Sequence, residues 1–175
     1  MKFHLSITEE DYIAFNIHHA FHSESGKKVI QFGRFVPTVV AAVFYMIFLL
    51  AGMERRLLIV EGVALLVVCL VGYFKYPDLY RKSLRNNILK LKKEGRLPFS
   101  PETDLEFTET EMIETAPDGV KHTPYDAVIA VDETDEHVFI KIGAVQSFIL
   151  PIRCLDGRKQ ELLDYLRNKC ANAAQ

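Results

Sequence analysis

The sequence predicts an α-helical transmembrane hairpin joined to a small α+β cytoplasmic domain, antiparallel strands closed by a C-terminal helix. Three observations carry this reading: two long apolar runs with one short charged interruption, a period-two alternation that begins near residue 101, and a final segment of helical period. Over all 175 residues the mean hydropathy is only +0.07, because two apolar runs are averaged with a polar remainder.

Residues 1–34 form an N-terminal cytoplasmic region built on an amphipathic helix. Thr8-Glu9-Glu10-Asp11 has the spacing of a capping box, with Thr8 as N-cap and Asp11 in place of the usual Glu. A helix over residues 9–22 then puts Ile13, Ile17 and Phe21 on one face. It also carries His18, His19 and His22, of which His18 and His22 share a face. Two such imidazoles can begin a zinc or copper site, but a site needs further ligands. The nearby acids, Glu9, Glu10 and Asp11, lie one or two turns away. The histidines therefore read as a solvated polar face, and no metal or other cofactor is expected.

Residues 35–74 form the hairpin. The run VPTVVAAVFYMIFLLAG (36–52) has no charge, and LLIVEGVALLVVCLVGYF (57–74) has only Glu61. As helices they reach roughly 26 Å each, the low end of what crosses a hydrocarbon core. Both are apolar all round, so each must be enclosed on every side, and the other segments can bury only one face apiece. Glu54, Arg55 and Arg56 are thus expected in an outer turn, residues 53–56, where they reach water. Glu61 lies about one turn inside the second span, where a carboxyl can extend to the outer head groups, be protonated or accept a hydrogen bond from the neighbouring span; a proton relay would need a chain of polar partners, for which Tyr45 is the clear candidate in the first span. The apolar run starts only after 34 mostly polar residues, which speaks against a cleaved signal peptide. Lys27, Lys28 and Arg34 precede the first span, a basic cluster follows the second, and the tip offers two arginines. That asymmetry predicts a multi-pass protein with both termini cytoplasmic.

Residues 75–100 form a basic juxtamembrane helix and linker. Pro77 suits the first turn of a new helix, Leu84, Ile88 and Leu91 recur at helical spacing, and Gly95 and Pro98 stop it. Residues 75–96 hold eight Lys or Arg against Asp78 and Glu94, a net +6. Arg81, Lys82, Arg85, Lys90, Lys92 and Lys93 are the expected contacts with an anionic inner leaflet. Nucleic acid is the rival partner for such a run, and it is not expected for a segment already held at a membrane.

In residues 101–175, alternating runs predict strands near 104–108, 111–115, 120–125, 127–131, 137–142 and 145–152. Pro117-Asp118-Gly119 is a hairpin signature, Asp132 to Asp135 reads as a solvated turn, and Asp156 is expected to cap a helix to about Lys169 that buries Leu162, Leu163 and Leu166. Residues 101–152 carry twelve carboxylates against Lys121 and Lys141, a net −10.

Two close spans, the basic linker, DYIAFNIHHAFHS near the start and TPYDAVIAVDETDEHVFIKIGAVQSFILPIR before the last helix together resemble the YcxB-like family of bacterial membrane proteins. The resemblance rests on Tyr125, Asp126, Val128 and Ile129, then on Leu150, Pro151 and Arg153; Tyr125 stands where Trp is usual and Ile152 where a Lys often follows the Pro. It implies a bacterial inner-membrane protein with a pleckstrin-homology-like C-terminal domain, and it marks Tyr125, Asp126, Pro151 and Arg153 as candidate binding residues. It implies no activity.

No Gly-rich phosphate loop, HExxH, GxSxG or paired-Cys element appears, and Cys69, Cys154 and Cys170 are scattered, so enzyme chemistry is not expected. Neither span carries the polar stripe of a pore. The function predicted is a membrane-anchored binding or scaffold module that meets a protein or peptide at a strand edge or beside the last helix. A subunit of a transport or sensing complex is the alternative.

Overall fold

The computed structural model describes residues 1–95, 100–143 and 146–170. Arg96 and the expected helix stop Pro98 lie outside the described residues, as does Val145, the expected start of the last strand. The elements are β1 (Lys2–Ser6), α1 (Glu9–His22), α2 (Glu24–Leu50), α3 (Arg55–Lys93), β2 (Glu102–Phe107), β3 (Glu111–Ala116), β4 (Gly119–Pro124), β5 (Ala130–Glu133), β6 (His137–Lys141), β7 (Ser147–Pro151) and α4 (Lys159–Lys169). The chain divides into two compact units, residues 16–87 and a second made of Met1–Phe15 with the chain from Ile88 onward.

The second unit contains two antiparallel sheets, ordered β1-β2-β3-β4 and β5-β6-β7. No strand pairing joins them into a closed barrel among the described residues. β1 was not anticipated from the sequence. Phe3 and Leu5 alternate with exposed neighbours, and β1 pairs antiparallel with β2, Phe3 opposite Leu105 and Leu5 opposite Thr103, although residues 7–101 intervene. Phe3, Leu5, Leu105, Phe107 and Met112 form one core with Val138, Ile140 and Leu150 from the other sheet and with Leu162 and Leu166 from α4.

Several boundaries differ from the expectations. Residues 125–127 form a 3-10 turn, so β5 starts at Ala130 and includes Asp132, which pairs with Lys141 at 2.6 Å and is not part of a solvated turn. Asp156 does not cap α4; it takes φ 51° in the preceding turn, and Arg158 occupies the cap position without a side-chain bond. Leu162, Leu163 and Leu166 are buried as expected.

The other unit is the helical hairpin with the end of α1. α2 and α3 meet through close approaches at glycine: a Cβ on Gly33 would collide with the Tyr76 ring, and one on Gly72 would lie 2.9 Å from Pro37. Small residues let apolar helices approach where lipid gives no hydrophobic drive. The turn between them spans Ala51 to Glu54 with Gly52 at φ 70°, while Arg55 and Arg56 already belong to α3. The expected break at Pro77 is absent. α3 runs unbroken through Pro77 for 39 residues, roughly 58 Å, because a proline costs a helix one hydrogen bond whereas stopping here would expose a whole turn of backbone.

If β1 completes the first sheet, the β2 amides are protected on both sides. Phe3→Ala removes a fully buried ring, a loss of about 3 kcal/mol or more, and should speed hydrogen exchange in β2 at least as much as in β3. Unchanged exchange in β2 would show that this pairing does not form.

Candidate functional site

The α1 cap is built as its spacing predicts. Thr8 donates its N–H and its hydroxyl to Asp11 Oδ2, both at 2.7 Å, and the Asp11 N–H reaches Thr8 Oγ1 at 3.4 Å. Three more donors converge on the same carboxylate. Arg153 gives Nη1–H to Oδ1 at 2.8 Å and Nη2–H to Oδ2 at 2.6 Å, and His137 Nε2 lies 2.8 Å from Oδ1. A carboxylate only accepts, so His137 carries its proton on Nε2. The Asp11 side chain is 4% exposed, while that of Arg153 is 51% exposed. Burial pushes the Asp11 carboxyl up, but the bonds from Arg153, Thr8 and His137 outweigh it and hold the group well below the usual carboxylate range.

Each donor is set by its own local backbone. His137 closes a turn with Thr134, whose Oγ1 accepts the His137 N–H at 2.9 Å. Arg153 sits in the 3-10 turn Ile152–Cys154 that follows Pro151, and its Nη2 also donates to the Ser6 carbonyl at 2.9 Å. The His137 ring stacks on Phe139, and Phe139 packs on Phe15 in a small second core with Ile149.

The four residues marked as binding candidates are therefore not gathered into one open site. Arg153 holds Asp11, and Pro151 is buried. Tyr125 is buried, with its hydroxyl donating to the Thr108 carbonyl at 2.7 Å, where Tyr165 also donates. Burial and the contact with Tyr165 raise the Tyr125 hydroxyl far above its ordinary value. Asp126 is exposed in the adjacent turn. Sequence reasoning missed the role of His137, whose position opposite Pro151 in the β6–β7 register gave no pattern pointing to Asp11.

The basic candidates all lie on α3. Arg81 stacks over the Phe21 ring at 4.5 Å, and Lys92 pairs with Glu9. Lys82, Arg85, Lys90 and Lys93 are exposed. On α1, the His18 and His22 rings stack at 4.1 Å, and His22 Nδ1 donates to the His18 carbonyl at 2.9 Å. Among the described residues no group of three or more His, Cys, Asp or Glu could hold a metal ion.

Recesses among the described residues of the strand unit differ in size. The groove beside α4, at Leu163, Leu166 and Val131, encloses only about 50 Å³. A larger cavity of about 400 Å³ opens between the ends of the two sheets, within the range of ligand pockets.

The family model described as YcxB-like protein matches residues 107–169, from the last residue of β2 to the end of α4. No curated protein and no solved structure matches the chain. The match and the two apolar helices support the family resemblance at a coarse level.

Asp11→Ala strips all five donors of their acceptor and should cost on the order of 3 kcal/mol. Arg153→Ala removes two of the five and should cost less. Because the Asp11 carboxyl is lowered in the folded state, its stabilisation is fully present above the ordinary value of 3.8 and is lost as the pH falls below it. Denaturant midpoints measured from pH 7 down to pH 3 should fall in the wild type and fall less in Asp11→Ala. Parallel curves would rule out this carboxylate as a source of the acid sensitivity.

Proposed function

We propose that the chain is a multi-pass protein of the bacterial inner membrane, with both termini in the cytoplasm and its strand unit serving as a pleckstrin-homology-like binding module for a protein or peptide. The observation that carries this reading is the place of the hairpin. Its two apolar helices are inserted between β1 and β2, and those strands are hydrogen-bonded in one sheet. Whatever lies between them must leave and re-enter the same compartment, so it crosses a bilayer an even number of times. Two crossings satisfy that condition, in agreement with the basic flanks.

The surface of the hairpin supports insertion. Val36, Phe44, Leu57, Val67 and many similar residues are exposed, whereas a soluble chain rarely leaves so large an apolar patch uncovered. A band of Tyr73, Tyr76 and Tyr80, with Arg34 over the Tyr73 ring at 5.3 Å, suits the head-group level. The exposed Arg81, Lys82 and Arg85 beyond that band support contact with anionic lipid, and Lys90 and Lys93 add basic charge later in α3. Lys92 instead pairs with Glu9.

Cysteine accessibility tests the reading in intact cells. Cys170 is buried and makes a poor reporter, so one cysteine at a time is added at Met53 or Glu109 in a background that carries Cys69→Ser and Cys154→Ser and keeps the buried Cys170. An impermeant maleimide added outside should label Met53→Cys and leave Glu109→Cys untouched until the membrane is opened. Labelling of Glu109→Cys from outside would overturn the orientation.

A further inference from the structure

The two-sheet core breaks its own rule at one corner. Inner faces of packed sheets are apolar. Met112, Glu114 and Ala116 alternate onto one face of β3, and Met112 is fully buried in the core, so Glu114 points inward too. Register places Glu114 between Leu105 on β2 and Lys121 on β4. The inner row thus runs Phe3, Leu105, Glu114, Lys121, apolar at one end and charged at the other.

These charges border the 400 Å³ cavity, with Leu5, Phe15, Phe148 and Ile149 among its apolar walls. Though directly opposed, Glu114 and Lys121 form no ion pair; the Lys121 ammonium lies over the Phe148 ring, 5.8 Å from its centroid. Lys121 is exposed and keeps its water, whereas Glu114 is half-buried and has no hydrogen bond or ion pair among the described residues. Burial raises its carboxyl above the ordinary value, Lys121 opposes that shift, and Asp118 adds to it. Asp118, also at the cavity, accepts a hydrogen bond from Ser100 at 3.3 Å. Glu114 is therefore a half-buried carboxylate at the cavity wall with no protein partner among the described residues, its oxygens still open to water and to a cationic donor.

We infer that this cavity receives a cationic side chain, flanked by apolar residues, from a partner peptide, with Glu114 as its counter-ion. The assignment rests on the reading of the strand unit as a binding module and names the site and chemistry it uses. An anionic ligand does not fit: it would have to approach strands of net charge −10 and displace Lys121 from water to meet a carboxylate. The apolar walls take the residues beside the cation, and desolvation at the cavity strengthens the ion pair relative to one at the surface.

The test uses the full chain in lipid nanodiscs with its isoleucine methyl groups labelled. Three acetylated and amidated tripeptides serve as probes, Leu-Lys-Leu, Leu-Gln-Leu and Leu-Glu-Leu. The lysine peptide should shift the methyl signals of Ile7, Ile142 and Ile149 at the cavity and bind about tenfold more tightly than the glutamine peptide. The glutamate peptide should bind more weakly than either. Glu114→Gln should bring the lysine-to-glutamine ratio close to one without abolishing binding, and Lys121→Gln should raise it. The inference fails if the glutamate peptide binds as well as the lysine peptide, if Glu114→Gln leaves the ratio intact, or if no peptide moves those signals. It also fails if Glu114→Leu merely makes the chain self-associate, since an inward charge beside the β4 edge would then be only a guard against strand pairing. Failure here with the expected cysteine labelling removes the cavity assignment alone; labelling of Glu109→Cys from outside removes the cytoplasmic module itself.

Discussion

The strand unit depends on one buried carboxylate. Withdrawing a charge from water costs several kcal/mol, and only a full set of donors offsets that cost. Asp11 has five, drawn from the start of α1, from β6 and from the turn after β7. The start of α1 is more than a hundred residues from the β6–β7 hairpin that carries the other donors, so satisfying the charge ties the two together. A hydrophobic contact tolerates small slips, whereas a bidentate guanidinium and an oriented imidazole accept one geometry. The packing of Phe15 on Phe139 and the run of β1 into α1 follow from where that carboxylate must sit.

Local signals were legible in the sequence, and distant pairings were not. The capping box at Thr8 and Asp11, the Pro117-Asp118 hairpin and the leucines of α4 each depend on neighbours a few residues away, and each formed as expected. β1 escaped notice although Phe3 and Leu5 alternate with polar residues, because five residues have no stability without a partner, and that partner begins only at Glu102. Pro77 misled for another reason: a proline in the first turn and one inside a continuous helix have the same apolar residues on either side. Only tertiary packing, here Tyr76 against Gly33 in the preceding turn, separates the two.

The same limit applies to the site. Arg153 and Tyr125 were marked as binding candidates by the family resemblance, yet a sequence cannot say whether such a group waits for a ligand or for another part of its own chain. Both found internal partners. Glu114 drew no notice among twelve carboxylates, although its parity with Met112 on one strand was a usable signal once that methionine was assigned to the core.

Pairing β1 with β2 also imposes an order in time. The ribosome completes β1 first and must then deliver the whole hairpin before β2 emerges, an interval of about 5 to 20 s at ordinary rates of synthesis. Until then Phe3 and Leu5 have nothing to cover them, and Asp11 waits longer still for Arg153. A chain halted between β1 and β2 would therefore display an open strand edge. Closure of the first sheet is thus possible only after both apolar helices have been synthesised, so the strand unit completes its fold last.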